Sequence, residues 1–219
     1  MILASVCISI AVLSYLLGSL NFGVIISNCF KKDDVRNHGS GNAGSTNMLR
    51  NYGKSWAILT IIGDMLKVAV AIIIAFAALK ITNVSSLLEN YFGEDTSLII
   101  KSFAGLFAVI GHIFPCYFSF KGGKGVATAG GMVFMIDWRI ALILLGIFFV
   151  VVLVTRFVSL GSIIMAILYP VFMLIFYKSA VLTVIALVFT LIVVVAHRGN
   201  IVKLINGTES KISFKKQKS

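Results

Sequence analysis

Four long windows of this chain carry no Asp, Glu, Lys or Arg: residues 1–30, 102–120, 157–177 and 179–197. A helix of about 20 apolar residues spans the roughly 30 Å of a bilayer's hydrocarbon. Across all 219 residues, 59% are apolar and 12% are charged. Soluble domains run near 45–50% apolar and about 25% charged. So little charge cannot cover a water-facing globule, which excludes a soluble monomer. The apolar runs are continuous and lack two-residue alternation, which excludes a membrane barrel. What remains is an all-α integral membrane protein.

Hydropathy predicts about seven transmembrane helices, over 4–27, 56–79, 97–114, 125–137, 139–155, 160–177 and 179–196. They are read as one polytopic domain over 1–219, with a basic tail over 197–219. Gly18, Ser19, Gly23, Gly105, Gly161 and Ser162 suit close helix approach within it. No basic segment precedes the first apolar run, so that run is read as a retained helix. The formal charge of +11 would suggest nucleic acid in a soluble domain. Here 14 of the 19 Lys and Arg residues fall on one side if the N-terminus lies outside. The positive-inside rule then sets the C-terminus in the cytoplasm and leaves no need for a nucleic-acid partner. The fourth span has about 13 residues, or roughly 20 Å, too short to cross alone. An irregular backbone before such a span must be buried in protein or line a wet cavity. That marks a site.

Three segments on the predicted inner face hold unusual polar residues. The first runs Gly39-Ser40-Gly41-Asn42-Ala43-Gly44-Ser45-Thr46-Asn47 and ends in Arg50. Its glycines can form an amide cradle, and Arg50 offers a fork of donors; a plain flexible loop has the same composition. The second, Phe120-Lys121-Gly122-Gly123-Lys124-Gly125-Val126-Ala127-Thr128, leads glycines and a lysine into a helix N-terminus, which favours an anion. It is not a Walker A loop, because Phe118 and Gly125 stand where that pattern needs glycine and Ser/Thr. The third begins His197-Arg198-Gly199-Asn200 and, taken alone, reads as an interfacial anchor. Asp64 and Lys67, three apart inside the second span, read as a structural pair before a catalytic one. No HExxH motif, no Cys/His cluster and no His-x4-Asp motif occurs. Cys7, Cys29 and Cys116 lack metal-ligand spacing, so no metal or cofactor is called for. A site rich in amides and cations but poor in carboxylates suits phosphate groups.

Together the segments GSLNFG, GSGNAGSTNMLRNYG, GDMLK, GHIFP…FKGGKGVAT, SLGSI and HRGNIVKLINGTESK resemble the bacterial acyl-phosphate:glycerol-3-phosphate acyltransferases, the PlsY family. The likeness covers essentially the whole chain. It implies seven spans with an outer N-terminus, in the bacterial inner membrane, with the active site toward the cytoplasm. It also implies transfer of a fatty acyl group from acyl phosphate to the sn-1 hydroxyl of glycerol 3-phosphate, giving lysophosphatidic acid and phosphate. Its partners would be those two substrates, membrane lipid and a functional link to the enzyme that makes acyl phosphate. Two positions depart from the family pattern: Asn21 stands for the usual proline and Ser45 for the usual alanine.

Carried over, the resemblance makes Ser40, Asn42, Thr46, Asn47, Arg50, Gly122, Gly123, Lys124, Gly125, Thr128, Ser162, His197 and Asn200 the substrate-binding set. Ser40, His197 and Asn200 are its catalytic candidates. The amides of the glycine loop, with Thr46, would clamp the acyl-phosphate head. Arg50, Lys124 and His197 would hold the glycerol 3-phosphate dianion, while Ser162 and Asn200 orient its hydroxyls. Acyl phosphate is a mixed anhydride with a good leaving group, so orientation and charge stabilisation can suffice. The base is then the leaving phosphate or His197, with a Ser40 acyl-enzyme as a third route that lacks an evident His–carboxylate relay. A phosphate transporter and a non-enzymatic lipid-binding protein are the other classes. The first would spread polar residues along its spans, and the second needs no paired phosphate loops.

Overall fold

The computed structural model describes residues 2–82 and 84–212. Every regular element among them is helical: α1 (Ile2–Gly18), α2 (Phe22–Lys31), α3 (Ser45–Tyr52), α4 (Lys54–Ile81), α5 (Val84–Phe92), α6 (Thr96–Ile113), α7 (Val126–Ile136), α8 (Trp138–Thr155), α9 (Val158–Tyr177), α10 (Ala180–Ala196) and α11 (Arg198–Ile205), with three short 3-10 turns. The chain forms two compact units, Met1–Trp138 and Arg139–Ser219. Lys215, Lys216 and Lys218 of the basic tail lie outside the described residues.

Five helical segments are long and apolar enough to cross a membrane: Leu3–Lys31, Lys54–Ile81, Thr96–Phe118, Trp138–Thr155 and Val158–Tyr177. A sixth is the pair α10 and α11, bent by 60° at their junction. The seventh apolar stretch, α7, has 11 residues, a rise of roughly 16 Å that cannot span hydrocarbon by itself. All seven predicted segments are therefore helical, and the fourth is shorter than expected. The first is also not one smooth helix. It breaks over 19–21, where Asn21 is extended and buried, and neither end of its amide has a partner among the described residues. Helices α3, α5 and α11 lie in segments where hydropathy marked no span.

In the first unit, α6 packs between α1, α4 and α7 through small residues. A Cβ at Gly18 would overlap the Ala108 carbonyl, and one at Gly105 would enter the Met132 side chain. Lipid tails are as apolar as leucine, so such backbone approach, rather than exclusion of water, holds these helices together. The opposite face of α4 leaves Ile58, Leu59, Ile62, Leu66, Val70 and Ile73 exposed, as a surface bathed in hydrocarbon allows.

In the second unit α9 and α10 pair, with Tyr169 edge-on to Phe189 at 5.4 Å. Pro170 lies inside α9 and has no N–H for the carbonyl of Ala166, four residues back. The Thr190 hydroxyl of α10 donates to that carbonyl at 2.6 Å.

Candidate active site

The segment from Asp33 to Tyr52 is folded on its own polar side chains. Asn47 is buried and fully engaged. Its Oδ1 accepts from the Ser40 amide at 3.0 Å, and its Nδ2 donates to the carbonyls of Val35 (2.9 Å) and His38 (3.0 Å). Asn42 Oδ1 accepts from the Gly44 amide at 2.9 Å and turns the chain into α3. Gly39 and Gly41 adopt φ of 58° and 70°, a region closed to most residues. Val35 and Met48 seal the underside against Ile26 and Ala57. The segment is thus a folded cup and not a flexible loop. It leaves Ser40 and Arg50 exposed and Thr46 half-buried. Asn47 holds the cup together instead of facing out.

Asp33 ties the rim. Its Oδ2 accepts from the Tyr52 hydroxyl and lies 2.8 Å from His38 Nε2. Those two partners hold the Asp33 carboxyl below its ordinary range. Burial, then the bond to Asp33, pushes the Tyr52 phenol up to about 12. A His–carboxylate pair therefore does stand two residues from Ser40. Among the described residues, though, no hydrogen bond joins the Ser40 hydroxyl to His38, so it is not an assembled relay.

The glycine-rich loop departs from the open cradle that its composition suggests. The amides of Gly122 and Gly123 donate to the carbonyls of Ile113 and His112, each at 3.2 Å, and so are not directed at a ligand. A Cβ at Gly122 would overlap the His112 carbonyl, and one at Gly123 would run into His112 Nε2. These glycines serve as a close-packed splice onto the end of α6. Gly125, at φ 80°, is the left-handed step that opens α7. The backbone N–H groups able to meet an anion are those of the first turn of α7, which has no preceding turn to bond. Lys124 is half-buried beside it. Thr128, in the same first turn, is fully buried, and its hydroxyl has no partner among the described residues.

Beneath the loop lies a buried charge cluster. An ammonium has three donors, and Lys67 Nζ meets three acceptors: Asp64 Oδ1 at 2.8 Å, His112 Nδ1 at 2.8 Å and the Leu20 carbonyl at 2.9 Å. The Asp64 contact is an ion pair set off the line of a good hydrogen bond, since that oxygen has no aligned donor. Lys67 donates to Nδ1, so the His112 ring proton belongs on Nε2, the side facing Gly123. Asp64 and Lys67 are the structural pair expected from their spacing. His112, 45 residues further on, is the member that local spacing could not reveal.

In the second unit, His197 is buried at the junction of α10 and α11, its Nδ1 2.8 Å from the Val193 carbonyl. Glu209 joins two elements: its Oε1 accepts from Asn200 Nδ2 at 2.8 Å and from Ser159 Oγ at 2.7 Å. Ser162 is buried and donates to the Val158 carbonyl at 2.9 Å. Among the described residues no group of three His, Cys, Asp or Glu side chains is placed to hold a metal.

Residues 8–207 match the family model described as glycerol-3-phosphate acyltransferase. The chain belongs to that family. It is 40% identical over 210 residues to the glycerol-3-phosphate acyltransferase of Clostridioides difficile, with 96% of this chain and 97% of the relative aligned. It is 42% identical over 202 residues to that of Prochlorococcus marinus, covering 91% and 94%. Among solved structures it is similar to PlsY, an integral membrane glycerol 3-phosphate acyltransferase, in its glycerol 3-phosphate form. The TM-score there is 0.81 at 35% identity, covering 94% of this chain and 96% of that one. The lysophosphatidic acid form gives 0.78 at 33%. As a family member this chain is a multi-span membrane glycerol-3-phosphate acyltransferase of the PlsY type, and the likeness drawn from its motifs holds.

Proposed function

We propose that this enzyme transfers a fatty acyl group from acyl phosphate to the sn-1 hydroxyl of glycerol 3-phosphate, releasing lysophosphatidic acid and inorganic phosphate. The observation that carries this reading is the family match over residues 8–207. The glycerol 3-phosphate and lysophosphatidic acid forms of PlsY agree with its acceptor and product. The hydroxyl oxygen attacks the acyl carbonyl carbon, and the bond from that carbon to the phosphate oxygen breaks. The hydroxyl proton leaves with the phosphate or with His197. In the first unit, Arg50, Thr46, Lys124 and the first-turn amides of α7 meet phosphate oxygens, with Ser40 and Asn42 lining the cup. In the second unit, His197, Asn200 and Ser162 act on glycerol 3-phosphate. Cations and amide donors that offset the charge on the anionic reactants lower the barrier without a protein nucleophile.

The assay is direct. Purified protein is given glycerol 3-phosphate with acyl phosphate or with acyl-CoA, and phosphate release and lysophosphatidate are followed. Turnover is expected with acyl phosphate alone; robust use of acyl-CoA would sink the donor assignment. The family likeness supports a bacterial inner-membrane protein, and the cation asymmetry supports motifs that face the cytoplasm. In sealed right-side-out vesicles, an impermeant thiol reagent should label a cysteine placed at position 90 and spare cysteines at 40 and 200. Labelling at 40 would reverse the orientation.

A further inference from the structure

Arg36 belongs to none of the three motifs, yet it joins two of them. It sits in the 3-10 turn Val35–Asn37. Asp34 caps that turn by accepting the Arg36 amide at 2.9 Å. The same carboxylate grips the guanidinium, with Nε at 3.0 and 3.1 Å from its two oxygens and Nη2 at 2.7 Å from Oδ2. One edge of the fork is thereby fixed, and the other edge is aimed. Nη1 donates to the carbonyls of Phe118 and Lys121, both at 2.9 Å, across 82 and 85 residues of chain. Between those carbonyls lie Ser119 and Phe120, two non-glycine residues with φ of 55° and 57°. Backbone of that kind persists only where its surroundings over-determine it. The inner margin of the loop is already spliced to α6 through Gly122 and Gly123, and Arg36 holds the outer margin.

We infer that Arg36, oriented by Asp34, is a positioning residue for acyl transfer: it registers the Lys124 loop against the cup that carries Ser40 and Arg50. This rests on the acyltransferase reading above. A lysine cannot do the work, because a point ammonium cannot fill a carboxylate fork and reach two carbonyls at once. The side chain touches no substrate in this role; it acts through where Lys124 stands.

The test combines a double-mutant cycle with hydrogen exchange on purified protein. Arg36→Lys should lower kcat/KM for glycerol 3-phosphate roughly 10-fold in the otherwise native enzyme. In a Lys124→Ala background the same change should cost no more than about twofold, since the loop no longer carries the group being aimed. Amides over 118–123 should also exchange faster in Arg36→Lys at unchanged overall thermal stability. Losses that multiply independently in the two backgrounds would overturn the inference. If the native enzyme shows no turnover, the functional reading fails by itself. The exchange measurement then still decides the clamp, and unchanged protection over 118–123 overturns it.

Discussion

The two units hold their polar residues in different ways. In the first, three of the groups that shape the inner loops have several partners each: Lys67 has three, Asn47 has four and Arg36 is bound along both edges. In the second, α11 buries none of its residues, and a single carboxylate, Glu209, ties Asn200 to Ser159. The first arrangement is preorganised, so loss of one bond leaves others in place, but loss of a buried charge does not. In the second, one carboxylate bridges two elements. The lesson is that redundancy and charge burial pull in opposite directions, and variants can separate them.

The largest effect is expected at the buried cluster. Asp64→Ala leaves Lys67 uncompensated among apolar helices, at a cost of about 3–5 kcal/mol. Thermal unfolding in detergent should register that loss, and the double variant Asp64→Asn with Lys67→Met should recover much of it. If the single and double variants melt alike, the cluster is not a charge-balanced unit, and its contrast with the second unit collapses.

An intermediate effect is expected at the loop lysines. Lys124→Ala removes a charge-assisted contact worth about 1.5–3 kcal/mol, or roughly 10- to 150-fold in kcat/KM. Lys121 is exposed and only its carbonyl is used by Arg36, so Lys121→Ala should cost much less. Equal, mild losses from both would remove Lys124 from the phosphate site.

The smallest effect is a pH window for the cup. The carboxyls of Asp33 and Asp34 are held down, by Tyr52 and His38 and by Arg36. Their contribution is therefore present above the ordinary value of 3.8 and fades as pH falls through their depressed folded-state values. Tyr52 is raised, so its contribution is present below 10.0 and fades as pH rises toward about 12. Amide exchange in residues 33–47, corrected for its intrinsic pH dependence, should show flat protection between these limits. A step inside that window would overturn the assignment of the rim to the two carboxylates and Tyr52.

The apolar segments and the three polar motifs were legible because each is local: a run of uncharged residues, or a cluster of glycines and amides. The spacing of Asp64 and Lys67 showed their pairing for the same reason. What stayed hidden depends on contacts between distant parts of the chain. His112 meets Lys67 across 45 residues, and Arg36 meets the glycine loop across more than 80. The glycine loop also misled. Its composition implied open amides, but glycine there serves the approach of two backbone segments, a use with the same local signature. Asn47 was placed among the substrate ligands from its motif, and its four side-chain bonds, all within the cup, show up only in the fold. Helices α3 and α11, of eight residues each, were invisible to a search for long apolar periods.

The proline inside α9 bears on how the protein is made. A helix leaving the translocon alone would carry the Ala166 carbonyl into lipid without a donor, a cost of several kcal/mol for an orphaned peptide group. The donor, Thr190, is translated 24 residues later, on α10. Only a tight connection at Lys178 and Ser179 separates the two helices. The expected route into the bilayer is therefore as a preformed helical hairpin, with the second helix completing the hydrogen bonding of the first before either meets the acyl chains.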